Sequence, residues 1–312
     1  MRISNMNVPG TDTSFITEFP NKISDKLYCR DPFILLAGED YFLYRTARER
    51  GVEALVSRDL ENWSDPIPVY KTATDHPGST HFFWAPEVHY YKGMFYLITS
   101  VHHEALGRHT ISVYRSASPL GPFEDIAGYC ISPKNWDCID GTLYIDSEGT
   151  PWMFFVHEWI STPDKIGLMA VAKLSDDLSH FVSEPVDIFR ADDPVWTDNG
   201  VTDAPFMAVL DSGRLIMTWS NFLPGSMGGG YTVDLAYSES GSVTGPWKHA
   251  DMPIYCRGLK PDFIYEGGHG MLFYDKEGRL RITFHAPNAS KEVYEHVQIR
   301  YVKETAGGIE IE

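Results

Sequence analysis

Asp31-Pro32-Phe33-Ile34-Leu35-Leu36 leads through Gly38 into Tyr41-Phe42-Leu43-Tyr44-Arg45-Thr46. A polar residue opens an apolar run, a glycine marks a tight turn, and a second run rich in aromatic and β-branched residues follows. That is the pattern of a hairpin of buried strands. It recurs four times. Glu87-Val88-His89-Tyr90-Tyr91 passes through Gly93 to Met94–Thr99, and Asp140-Gly141-Thr142-Leu143-Tyr144-Ile145 passes through Gly149 to Trp152–His157. Asp203-Ala204-Pro205-Phe206-Met207 passes through Gly213 to Leu215–Trp219, and His269-Gly270-Met271-Leu272-Phe273 passes through Gly278 to Leu280–Phe284.

Third strands follow, such as Thr110–Tyr114 and Val233–Tyr237. The first four units then end in similar tails that carry Trp63, Phe123, Phe181 and Trp247. The opening residues stand at intervals of 56, 53, 63 and 66 residues, enough for four strands and their loops. Five such units arranged radially account for nearly the whole chain, so the expectation is an all-β, five-bladed β-propeller forming one domain over residues 1–312. A two-sheet sandwich leaves the five matching heads and four matching tails unexplained.

Bulk properties narrow the function. The chain has 312 residues, 43% hydrophobic and 22% charged, as in a globular protein. Its net charge of −17 and lack of a basic stripe argue against a nucleic-acid partner. No apolar run is long enough to span a membrane, and the first residues have no apolar leader core. The expectation is therefore a cytoplasmic protein with no membrane partner, or a secreted one whose leader has been removed. Cys29, Cys130, Cys138 and Cys256 have no metal-type spacing and read as buried thiols. The abundant aromatics, 8 Trp and 17 Tyr among them, suit packing between blades and the stacking of sugar rings.

The first strand of a propeller blade lines the central channel, so residues that open these strands meet near one mouth. Asp31, Glu87, Asp140, Asp203 and His269 are thus expected together. An Asp before Pro or Gly also caps ordinary turns, and Glu87 could serve to brace Trp84-Ala85-Pro86. Five polar residues at matching positions nevertheless favour a shared site. Clustered carboxylates repel one another, so some must be protonated at neutral pH. One protonated acid beside one ionised carboxylate is the pair that hydrolysis of a glycosidic bond requires.

Cys29-Arg30-Asp31-Pro32-Phe33, Trp84-Ala85-Pro86-Glu87-Val88, Ile139-Asp140-Gly141, Thr202-Asp203-Ala204-Pro205 and Gly268-His269-Gly270 occur in this order. Together they resemble the family-43 glycoside hydrolases, inverting five-bladed propellers that act on arabinose-, xylose- and sometimes galactose-containing glycans. The resemblance implies an exo-acting enzyme, an α-L-arabinofuranosidase or β-xylosidase, on an oligosaccharide or polysaccharide. It makes Asp31 the general base and Asp140 the group that tunes and orients the acid. His269 matches the axial histidine that in several members helps hold a calcium ion or a water in the channel, with no cofactor required for the chemistry. Trp84 would wall the sugar subsite, or else pack as a core residue between blades.

The sequence departs from the family at the acid, where Asp203 stands in place of the usual Glu. Glu158 in His157-Glu158-Trp159 is the rival acid, and it reads otherwise as a loop residue that binds sugar hydroxyls. His157 and His285 close second strands near the expected pocket mouth, whereas His102, His103 and His109 are expected on exposed loops. The run Gly225–Gly230 reads as a loop without chemistry. A glycan-binding propeller that does not cleave its ligand is the non-enzyme alternative, resting on the Asp203 departure. A fructan-type hydrolase shares only the Arg30-Asp31-Pro32 likeness.

Overall fold

A computed structural model describes residues 1–24, 26–47, 51–72, 81–128 and 130–312. Five antiparallel sheets follow one another along the chain and form the blades of a β-propeller. Their innermost strands are Phe33–Ala37, His81–Tyr91, Cys138–Ile145, Asp203–Val209 and Gly268–Tyr274. Each pairs with the strand that follows it, and third and fourth strands extend each sheet outward. The one helical element among the described residues is a single 3-10 turn, Gly225–Met227, in the glycine-rich loop. No helix among them is long and apolar enough to cross a membrane.

The first hairpin shows why these residues form strands. Phe33 pairs with Tyr44 and Leu36 with Tyr41, and nearly every side chain of both strands is buried. A blade is covered by neighbours on both faces, so its strands are continuous apolar runs rather than alternating ones. Gly38 closes the turn with φ of 59° and lies against Gly10, whose Cα would sit 2.7 Å from any added Cβ. Positive φ and close backbone approach together demand glycine there. The tail aromatics enter the gaps between blades: Trp63 is fully buried with its indole N–H on the Leu60 carbonyl, and Phe181 stacks on Phe155 at 5.4 Å.

The N-terminal segment crosses the end of the channel where the innermost strands finish. Arg2 and Ile3 pair with Val209 and Ala208 of blade 4, and Ser4 Oγ donates to the Leu143 carbonyl of blade 3. Asn5 bonds both the Val88 carbonyl and the Tyr90 N–H of blade 2, Val8 bridges Ala37 of blade 1, and Tyr274 of blade 5 donates to the Met1 carbonyl. One short segment thus ties all five innermost strands together and covers the mouth opposite the strand heads.

Candidate active site

The heads share one backbone device. Asp31, Ala85, Asp140, Ala204 and His269 all have positive φ, between 44° and 59°, and each precedes a Pro or a Gly. In blades 2 to 5 the pairing register slips across these residues, so each sits in a β-bulge that turns it toward the channel mouth. This register corrects the equivalence expected from sequence. Asp31, Asp140 and His269 occupy the bulge position, whereas Asp203 lies one residue before it. Glu87 lies two residues beyond it, in line with Phe33, Thr142, Phe206 and Met271. There Glu87 accepts a hydrogen bond from His89 Nε2 at 2.7 Å, and His89 packs against Phe33.

A ring of bonds between blades locks the bulges. In four of the five blades the head N–H is accepted by a side chain in or just beyond the last part of the preceding blade's second strand: Ala85 by Thr46, Asp140 by Ser100, His269 by Ser220 and Asp31 by His285 Nδ1, at 2.8–3.1 Å. Blade 3 breaks the series, because its matching residue is Val156, which has no acceptor. Asp140 Oδ2 takes over and accepts the Ala204 N–H at 3.0 Å. The carboxylate of Asp140 is thereby held by the very segment that carries Asp203. Replacing Ser100 with Ala leaves the buried Asp140 N–H unpaired. We expect a loss of about 1–3 kcal/mol of stability in urea unfolding, with Ser100→Thr restoring most of it; equal stability of wild type and Ser100→Ala would dismiss the ring.

Charge is distributed unevenly over the cluster. His269 Nδ1 lies 3.1 Å from Asp31 Oδ1 and 3.9 Å from Asp140 Oδ2. Burial alone would raise the Asp31 carboxyl, but His269 first, and Arg30 with it, hold it well below the usual carboxylate range. Thr46 Oγ1 also donates to Asp31 Oδ2. Burial would lower His269, yet the charges of Asp31 and Asp140 raise it to about 9, so the imidazole stays protonated at neutral pH. Burial, with Asp31 and Glu158 adding repulsion against His269, lifts Asp140 to about 6. Asp203 goes further, to about 7, through burial and the Asp140 charge, while Tyr231 donates to its Oδ2 at 3.0 Å. Burial lowers His285 to about 4, consistent with a neutral ring whose Nδ1 accepts the Asp31 N–H.

The remaining expected residues lie farther out. Trp84 occupies the rim of blade 2, half-buried and packed on Phe82 and His109. Glu158 sits 3.4 Å from His109 Nδ1. His157 is buried face to face on Trp136 at 3.8 Å, which removes it from the carboxylates. His102, His103 and His109 are not on exposed loops: the first two end the strand Met94–His103, and His109, the second residue of Arg108–Ser116, is half-buried where Trp84 and His102 cover its ring. Calcium takes six to eight oxygen ligands, whereas His269 Nδ1 faces carboxylates already engaged elsewhere. A protonated His269 has no lone pair for a metal, so the residues on this axis do not fit a directly bound calcium ion.

Sequence reading passed over Thr46, Ser100, Ser220 and Tyr231. The first three carried a signal, since hydroxyl residues recur at the same place in three second strands. Tyr231 reaches Asp203 from a loop that follows no repeat.

Comparison with known proteins bears on the family and the fold. A family model described as Glycosyl hydrolases family 43 matches residues 22–308. The fold superposes on a structure titled endo-arabinase from Bacteroides thetaiotaomicron VPI-5482 with a TM-score of 0.81 and 36% identity, covering 93% of this chain and 99% of that one. Among curated proteins, the extracellular endo-alpha-(1->5)-L-arabinanase 1 of Bacillus subtilis is 26% identical, the match covering 70% of this chain and 66% of that protein. The extracellular exo-alpha-(1->5)-L-arabinofuranosidase ArbA of Cellvibrio japonicus is 27% identical, with 70% and 65% covered. The chain thus spans just under two thirds of the length of these curated relatives.

Proposed function

We propose, from the premise that this chain belongs to family 43 of the glycosyl hydrolases, that it hydrolyses α-L-arabinofuranosyl linkages by a single displacement with inversion. The observation that carries the reading is the divergent surroundings of two carboxyls in one cluster: Asp31 lies against His269 and Arg30, which hold it low, whereas Asp203 lies beside Asp140 with a Tyr231 hydroxyl on its Oδ2 and is pushed up to about 7. Asp31 takes a proton from a water as its oxygen attacks the anomeric carbon. Asp203 gives its proton to the departing glycosidic oxygen as that bond breaks. Asp140, tied to the Ala204 N–H, orients the acid segment and keeps Asp203 protonated by repulsion. No cofactor takes part in these steps.

Arabinan-directed names among the similar proteins support the sugar. Proton NMR of early products from linear α-1,5-arabinan tests the reading: inverted anomers are expected, and retained anomers or no turnover would reject it. Release of single pentoses corresponds to exo action, as the sequence suggested. A second reading, internal cleavage, is favoured by the 36% identity to an endo-arabinase. It predicts oligomers as first products.

A further inference from the structure

Beside the catalytic cluster, at the junction of blades 2 and 3, His109, Asp137 and Glu158 offer one imidazole and two carboxylate ligand atoms, all within 4.8 Å of one another. We propose that these three residues form a binding site for a divalent transition cation of the zinc type, separate from the channel axis at His269.

Three observations carry it. His109 Nδ1 and Glu158 Oε2 stand 3.4 Å apart and form no hydrogen bond. Zinc bonds of about 2.0–2.2 Å in a tetrahedral arrangement set neighbouring ligands about 3.3–3.5 Å apart. Glu158 Oε2 is moreover buried without any hydrogen-bond partner, on a side chain only 12% exposed. An orphaned carboxylate oxygen in such a place costs free energy unless a cation meets it. Finally, two carboxylates converge here with no Lys or Arg ion pair to either among the described residues, since Arg108 turns instead to the Trp136 carbonyl.

The surroundings hold the ligands in place. Trp84 and His102 pack on the His109 ring at 4.4 and 5.4 Å and set its plane. The His109 N–H donates to Asp137 Oδ1, and the Glu158 N–H donates to the Asp137 carbonyl at 2.8 Å, so Asp137 ties the other two residues together. Such outer support is what orients metal ligands. One nitrogen and two oxygens with an open fourth position suit zinc, whereas calcium requires more oxygens than the site supplies. The ion would join the Trp84 wall of the pocket to blade 3.

Calorimetric titration of the chelator-stripped full chain with zinc, manganese and calcium chlorides, each alone, tests this. One equivalent of zinc is expected, bound at least 10-fold more tightly than calcium, with His109→Gln and Glu158→Gln each weakening it 100-fold or more. No zinc binding, calcium preferred over zinc, or unchanged affinity in both variants would overturn the site. If circular dichroism shows either variant unfolded, zinc-edge anomalous scattering from wild-type crystals decides. Density bonded to His109 and Glu158 supports the site, and density only elsewhere, His269 included, rejects it. The outcome does not depend on which glycan is cleaved.

Discussion

Replacing Asp203 with Asn is expected to lower kcat/KM on an arabinan linkage by about 10²–10⁴-fold, the usual contribution of one general acid. The loss should shrink sharply on a dinitrophenyl arabinofuranoside, whose leaving group departs without a proton. Glu158→Gln should show no such leaving-group dependence, because Glu158 faces His109 rather than Tyr231 and the Asp140 segment. The pH profile gives a second readout. Wild-type activity should fall as pH rises through about 7, where Asp203 loses its proton, with Asp140 titrating as its partner. A loss equal across leaving groups, or a leaving-group effect found in Glu158→Gln instead, would move the acid to Glu158.

Replacing Asp31 with Asn should be as damaging, about 10²–10⁴-fold, but equally so for every leaving group, because the attacking water loses its base. The two variants should also move stability in opposite directions. Asp31 has a depressed carboxyl in the fold, so its ionised form adds stability that is present above the ordinary carboxylate range and is lost on acidification. Removing it at pH 7 also takes from the buried His269 its nearer carboxylate and leaves Asp140, 3.9 Å away, to balance its charge. Asp203 has a raised carboxyl, so its free acid is a cost that grows as pH rises from about 4 to about 7. Thermal melts at pH 8 should therefore show Asp31→Asn below wild type and Asp203→Asn at or above it. The reverse order would contradict the charge assignment.

Much of the site was legible because each motif is local. Asp31-Pro32, Asp140-Gly141 and His269-Gly270 announce a bulge residue followed by one that tolerates the turn, and the structure gives all three the same positive φ. Glu87 was misaligned because Pro86 follows Ala85 rather than the acid, so the residue in the bulge is Ala85. Periodicity could not see this, since a bulge adds a residue without changing the apolar pattern around it. The grouping of Glu158 with His109 and Asp137 escaped for a different reason: the three come from the ends of strands on two blades, and no spacing relates them.

The repeated hairpin, from Asp31–Thr46 to His269–Phe284, was by itself enough to determine five blades and the residues that open them. Side-chain period and turn glycines are local properties that need no partner to be read. Only ring closure decided which carboxyl carries the proton. It brings His285 and His269 of the last blade onto Asp31 of the first, across 254 residues in the case of His285, and leaves Asp203 half-buried beside Asp140 with the Tyr231 hydroxyl donating to it. Ionisation answers to burial and to neighbouring charge, and both exist only once the blades have met.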